Sequence, residues 1–180
     1  GAGKEEFWKA FCKVSRENSI YDYARYGTSV FLRKILEDRG IVATRDNLTA
    51  MVVSLESADG EGAAMRMLLE SVRAEKPTLR IIDSIRMPAD ETALRTESHN
   101  ILLYVTAPPL MRLDRMRSRG EKAGEKDLTI EKFMEQELSH TEKHVPEIGS
   151  RADWKIENIG TVEELEEKVR EFFAKIAKPK

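Results

Sequence analysis

The sequence predicts an α/β fold: a three-layer parallel sheet with helices on both faces. Three observations carry that prediction. Short apolar runs of strand length, at residues 79–82, 101–106 and 154–157, are spaced along the chain. Between them lie longer segments with apolar residues at i, i+3, i+4 and i+7, the period of an amphipathic helix. The runs at 79–82 and 101–106 are mostly apolar instead of alternating, as strands buried on both faces are. Strands that alternate with helices make a parallel sheet, because each parallel pair needs a crossover between its members.

The elements follow in order. Residues 5–14 set Phe7, Trp8, Phe11 and Val14 at helical spacing, so the chain enters a helix within its first few positions. Residues 20–24 read as a short aromatic strand. A second helix spans 27–40, with Ser29 as candidate cap, Val30, Leu32, Ile35 and Leu36 near one face, and Gly40 as its stop. Helices follow at 47–55 and 62–74, the latter carrying Met65, Leu68, Leu69 and Val72 at core spacing. Pro77 ends it, and the strand 79–82 runs at once into Asp83, a carboxylate at the carboxyl end of a buried strand. The strand 101–106 is closed by Pro108 and Pro109. Helices resume at 109–119 and 129–143, the second stopped by Pro146. The segment 120–127 between them, glycine-containing and charged at most positions with only Ala123 apolar, reads as a mobile lid. Residues 154–157 form the last strand. The last helix, 161–177, turns Val162, Leu165, Val169, Phe172, Phe173 and Ile176 inward, and Thr161 with Glu164 makes a capping box.

Composition bounds the function. A chain of 180 residues, 41% hydrophobic and 34% charged, suits one domain with one core, without disulfides or a structural metal. Its one cysteine, Cys12, has no internal partner, which points to a reducing, cytoplasmic setting. Thirty Lys and Arg against 32 Asp and Glu leave a formal charge of −2, so no basic excess marks a nucleic-acid binder. No apolar run approaches the ~20 residues of a membrane helix, and the charged start carries no signal peptide. Oligomeric state is not legible.

Four groups of residues could carry chemistry. Gly1, Ala2, Gly3, Lys4 and Glu5 lead straight into a helix and match the second half of a phosphate-binding loop. Glycines let backbone N–H groups close on phosphate oxygens, and the lysine reaches the terminal phosphates. A solvated helix start reads equally well from these residues alone. Asp83, with Ser84, Ile85 and Arg86 after it, stands where open α/β sheets bind ligands, or else caps the following helix. Arg112, Arg115 and Arg119 lie at i, i+3 and i+7, either flanking a phosphoryl group or forming a solvated face. Arg33 interrupts an apolar stretch and could hold an anion. His140 and His144 stand at metal-ligand spacing with Glu147 near. A solvated pair is the better reading, because no third ligand is placed. Cys12 and the methionines read as packing.

Taken together, Gly-Ala-Gly-Lys at the start, Asp83-Ser84-Ile85-Arg86, the arginine helix and the run from Ala152 to Thr161 resemble the P-loop nucleotide kinases. The nearest likeness is to the dephospho-CoA-kinase-like and nucleoside-monophosphate-kinase-like group, over nearly the whole chain. The resemblance implies an ATP-dependent phosphotransferase, with Mg2+, that moves the γ-phosphoryl to a small phosphorylated acceptor. It implies that Lys4 meets the β and γ phosphates and that Asp83 supports the metal or the acceptor. Arg33 and Arg86 would hold the acceptor, Arg115 and Arg119 would close over the transferring group, and Asn158 and Gly160 would lie near the donor base. Three departures stand out. Glu5 occupies the position of the usual Ser or Thr, Ser84 occupies that of a glycine, and the central strand expected before the loop is not in the chain, so the domain reads as N-terminally incomplete. A non-catalytic nucleotide-binding or interaction domain on the same fold is the alternative.

Overall fold

The computed structural model describes residues 1–19, 22–75, 77, 79–120, 125–140 and 142–176. The chain runs through α1 (Lys4–Glu17), β1 (Tyr23–Gly27), α2 (Thr28–Asp38), α3 (Arg45–Asp59), α4 (Ala63–Val72) and β2 (Leu79–Asp83). It continues through α5 (Pro88–Arg95), β3 (Leu103–Thr106), α6 (Pro109–Arg119), α7 (Ile130–Glu137), α8 (Val145–Ser150), β4 (Trp154–Glu157) and α9 (Val162–Ile176). The architecture is α/β, with parallel strands and helices to both sides of them. It divides into two compact units, Asp22–Asn100 and Gly1–Tyr21 with Ile101–Lys180.

In the unit Asp22–Asn100, β1 and β2 pair in parallel, from Tyr23 opposite Leu79 to Gly27 opposite Asp83. A two-stranded ladder is marginal by itself, and here helices supply the burial. Tyr26 and Ile82 pack on Met65, Leu68, Leu69, Val72 and Ala93 of α4 and α5. Leu32, Leu36, Met51 and Ala64 tie α2, α3 and α4 into a second cluster. Gly40 ends α2 as expected, with the Ile41 N–H returning to the Leu36 carbonyl at 2.9 Å. Thr44 caps α3 by accepting from the Asn47 N–H at 3.1 Å.

In the other unit, β3 and β4 form the second parallel ladder, from Leu103 opposite Trp154 to Thr106 opposite Glu157. The amphipathic faces of α1 and α9 meet, with the Phe11 and Phe173 rings 4.8 Å apart and Val14 and Val169 fully buried. Leu113, Leu128 and Phe133 join α6 to α7. The expected capping box is present: Thr161 Oγ1 accepts from the Glu164 N–H at 3.2 Å, and Glu164 Oε2 accepts from the Thr161 N–H at 2.9 Å.

The structure departs from the expected elements in six places. The four strands form two ladders rather than one sheet, and among the described residues none joins β2 to β3. The first strand runs from Tyr23 to Gly27, not 20–24, because its bounds follow the pairing with β2 and not aromatic content; Ile20 and Tyr21 lie outside the described residues. Ser29 is not the cap of α2, which opens directly from the extended Gly27. The predicted helix 129–143 ends at Glu137, where the Leu138 and Ser139 N–H groups bond three residues back and tighten the last turn. Pro146 opens α8 instead of ending a helix, since a proline in a first turn gives up an N–H that has no partner there. The helix α5 was not among the predicted elements, although Pro88 at its start and Asp90 and Glu91 in its first turn announce it. The predicted lid falls in large part on residues 121–124, outside the described ones. No helix among the described residues is long and apolar enough to cross a membrane.

Candidate functional site

The first turn of α1 assembles the densest group of predicted site residues, all within one unit. Gly3 precedes the helix at φ 87°, a left-handed conformation that glycine adopts freely and other residues rarely do. It also lies so close to the Asn158 amide that a Cβ would collide with it. Asn158 follows β4, is only 7% exposed, and donates from Nδ2 to the Ala2 carbonyl at 3.1 Å. Arg115 on α6 donates from Nη1 to the Asn158 carbonyl at 2.9 Å. Gly1 packs against the Arg112 backbone. The Gly1 amine sits below its ordinary pKa, first because it is buried and next because Arg119 and Arg112 are near. Lys4 and Glu5 are exposed at the helix start.

The arginines of α6 are engaged with the protein, not merely solvated. Arg119 pairs with Glu125 at 2.7 Å, and Glu125 is 5% exposed. Arg112 pairs with Glu137 at 2.5 Å and lies over the Phe133 ring. The Arg112 Nε is buried with no acceptor among the described residues. A buried donor without a partner costs roughly 1–3 kcal/mol. Gly160, near Asn158, has no Cβ to obstruct the Glu164 carboxylate that caps α9.

In the unit Asp22–Asn100, Asp83 ends β2 as expected. It does not cap α5, whose first turn is closed by the Asp90 carboxylate accepting from the Met87 N–H at 3.3 Å. Both of its oxygens are held. Arg25 donates to Oδ2 from Nη2 at 2.5 Å and from Nε at 3.2 Å, and the Ser84 hydroxyl donates to Oδ1 at 3.1 Å. The register puts Arg25 opposite Ile81 and Gly27 opposite Asp83, so Arg25 and Asp83 share one face. Arg25 was missed by the sequence reading; its signal is a cation inside a short aromatic strand. Arg86 is half-buried three residues beyond Asp83. Arg33 is exposed on α2 and donates to the Ala43 carbonyl at 3.4 Å. Among the described residues no group of three or more His, Cys, Asp or Glu could hold a metal. Of the predicted histidine pair, His144 stands 3.9 Å from Glu147, whose carboxylate pairs with Arg151 at 2.7 Å.

Ser84 takes φ 69°, the left-handed region, at the position where the kinase resemblance has glycine. A serine there is strained by about 1 kcal/mol. Ser84→Gly should therefore raise Tm by roughly 2–4 °C, read by thermal melting. An unchanged or lower Tm would show that the strain is offset by the contact to Asp83.

No family model matches the chain. The chain is 29% identical over 181 residues to a UPF0200 protein of Pyrococcus horikoshii, spanning 98% of this chain and 92% of that protein. It is 28% identical over 143 residues to a UPF0200 protein of Thermococcus gammatolerans, spanning 77% and 74%. A third, from Thermococcus onnurineus, is 26% identical over 182 residues, spanning 98% and 93%. The shared name states no reaction, ligand or partner, and the chain is similar over nearly its whole length to the Pyrococcus horikoshii and Thermococcus onnurineus proteins.

Proposed function

We propose that the protein is a phosphotransferase that moves the γ-phosphoryl of ATP to a small phosphorylated acceptor. One observation carries the reading: the glycine turn before α1 is held beside three arginine-bearing positions of α6 and by Asn158. A left-handed glycine opening a 14-residue helix presents N–H groups to an anion, and the helix dipole favours negative charge there. The guanidinium groups of Arg112 and Arg119 near Gly1 supply positive charge at the same place. Lys4 then meets the β and γ phosphates, while Arg115 and Arg119 meet the charge that spreads over the equatorial oxygens during transfer. Arg33, Arg86 and Asp83, to which the resemblance gives the acceptor, belong to the unit Asp22–Asn100.

The residues present do not make a magnesium site by themselves: both oxygens of Asp83, the carboxylate that the resemblance assigns to the ion, are already held by Arg25 and Ser84, and among the described residues no metal-holding group of side chains stands beside it. Glu5, at the position where a hydroxyl would ligate the ion, favours the second reading, a domain that binds nucleotide without transferring phosphoryl.

Calorimetric titration of the full chain with ATP and Mg2+ tests both readings. Saturable binding at micromolar to millimolar nucleotide is expected. No heat of binding at millimolar ATP removes the kinase and the nucleotide-binding domain together.

A further inference from the structure

The kinase resemblance would set Asn158 beside the donor base, but its contacts give it a different task. We infer that Asn158 is the positioning residue of the phosphate turn: it fixes the peptide between Ala2 and Gly3 so that the Gly3 N–H faces the anion. The inference rests on the phosphate-binding reading above.

The residue is anchored on three sides. Its own N–H donates to the Thr106 carbonyl at 2.8 Å, which extends the β3–β4 ladder by one bond and fixes its backbone. Its carbonyl accepts from Arg115 at 2.9 Å, which ties it to α6. Its side-chain amide then reaches out of this frame and donates to the Ala2 carbonyl at 3.1 Å. A trans peptide points its C=O and its N–H in opposite directions. Pinning the Ala2 carbonyl on Asn158 therefore turns the Gly3 N–H to the side away from Asn158. Gly3, at φ 87°, passes directly against the same amide, so only a residue without Cβ lets the two approach.

A turn that binds phosphate works through N–H groups that converge, and each carbonyl it turns away needs a donor elsewhere. Asn158 is that donor for Ala2. An aspartate in its place would have nearly the same shape and no N–H, and would set a carboxylate against a carbonyl next to an anion site.

The test is calorimetry of the full chain with inorganic tripolyphosphate and with ATP and Mg2+, comparing wild type, Asn158→Ala and Asn158→Asp. The loss of one hydrogen bond that orders the turn should weaken Asn158→Ala by about five- to tenfold, and Asn158→Asp should bind more weakly still. Amide exchange reads the turn directly: Gly3 and Lys4 should exchange faster in both variants while α9 keeps its protection. Variants that bind as tightly as wild type, or exchange at Gly3 and Lys4 that is unchanged, overturn the inference and leave the phosphate-binding reading standing. A wild type that binds neither probe overturns both.

Discussion

Gly3→Ala should abolish measurable nucleotide binding, the largest effect expected of any single substitution in the turn. Two independent penalties act at that position. The left-handed conformation costs a non-glycine residue roughly 1–2 kcal/mol, and the new methyl would occupy space already filled by the Asn158 amide. Neither can be relieved locally. Rotating Gly3 out of the left-handed region breaks the entry to α1, whose Phe7 N–H returns to the Gly3 carbonyl at 2.8 Å. Moving Asn158 breaks its bonds to Ala2, and through its carbonyl to Arg115. The expected result is a folded protein, with Tm lower by a few degrees, that gives no heat with ATP and Mg2+. Wild-type affinity in Gly3→Ala would show that the turn is only a helix start.

Arg119→Ala should lower the rate of phosphoryl transfer by ~10³-fold while changing the affinity for ATP little, because a transition-state arginine meets charge that develops only during transfer. Arg119 also has a structural partner, and the two roles have to be separated. Glu125 is buried, and taking away the guanidinium removes one of its partners, so Tm should fall as well. The double variant Arg119→Ala/Glu125→Gln removes the buried charge together with its cation. It should recover most of the lost Tm and none of the lost rate. If rate and Tm recover together, the arginine is structural and the phosphotransferase reading loses its lid.

The two substitutions also mark where the sequence was legible. Gly-Ala-Gly-Lys before a helix is a local pattern, and the structure puts the left-handed glycine at its third position. The capping box at Thr161 and Glu164 and the stop at Gly40 are equally local and were equally readable. Asp83 at the end of its strand was readable because a strand of this length has few places for a carboxylate. Arg25 was not, since its partnership with Asp83 spans 58 residues and depends on the register of a parallel pair. The same applies to Glu125 and Glu137. Each looks like one more surface carboxylate in a chain that is 34% charged, and each is found to hold an arginine of α6. The histidine pair illustrates the opposite limit: the spacing is that of metal ligands, the sequence favours a solvated pair, and in the structure the helix ends before His140 and the carboxylate near His144 is taken by Arg151. Charge spacing shows which residues can meet on one helix; only the packing of other elements shows which of them do.

The most direct test of the account is a steady-state assay of phosphoryl transfer from ATP, with Mg2+, by the full chain over a panel of monophosphate acceptors that includes nucleotides and dephospho-CoA. The account predicts turnover with at least one acceptor, and a loss of ~10³-fold in that turnover on Arg119→Ala. Turnover with an acceptor that is indifferent to Arg119→Ala, or ATP binding with no transfer to any acceptor, would contradict it.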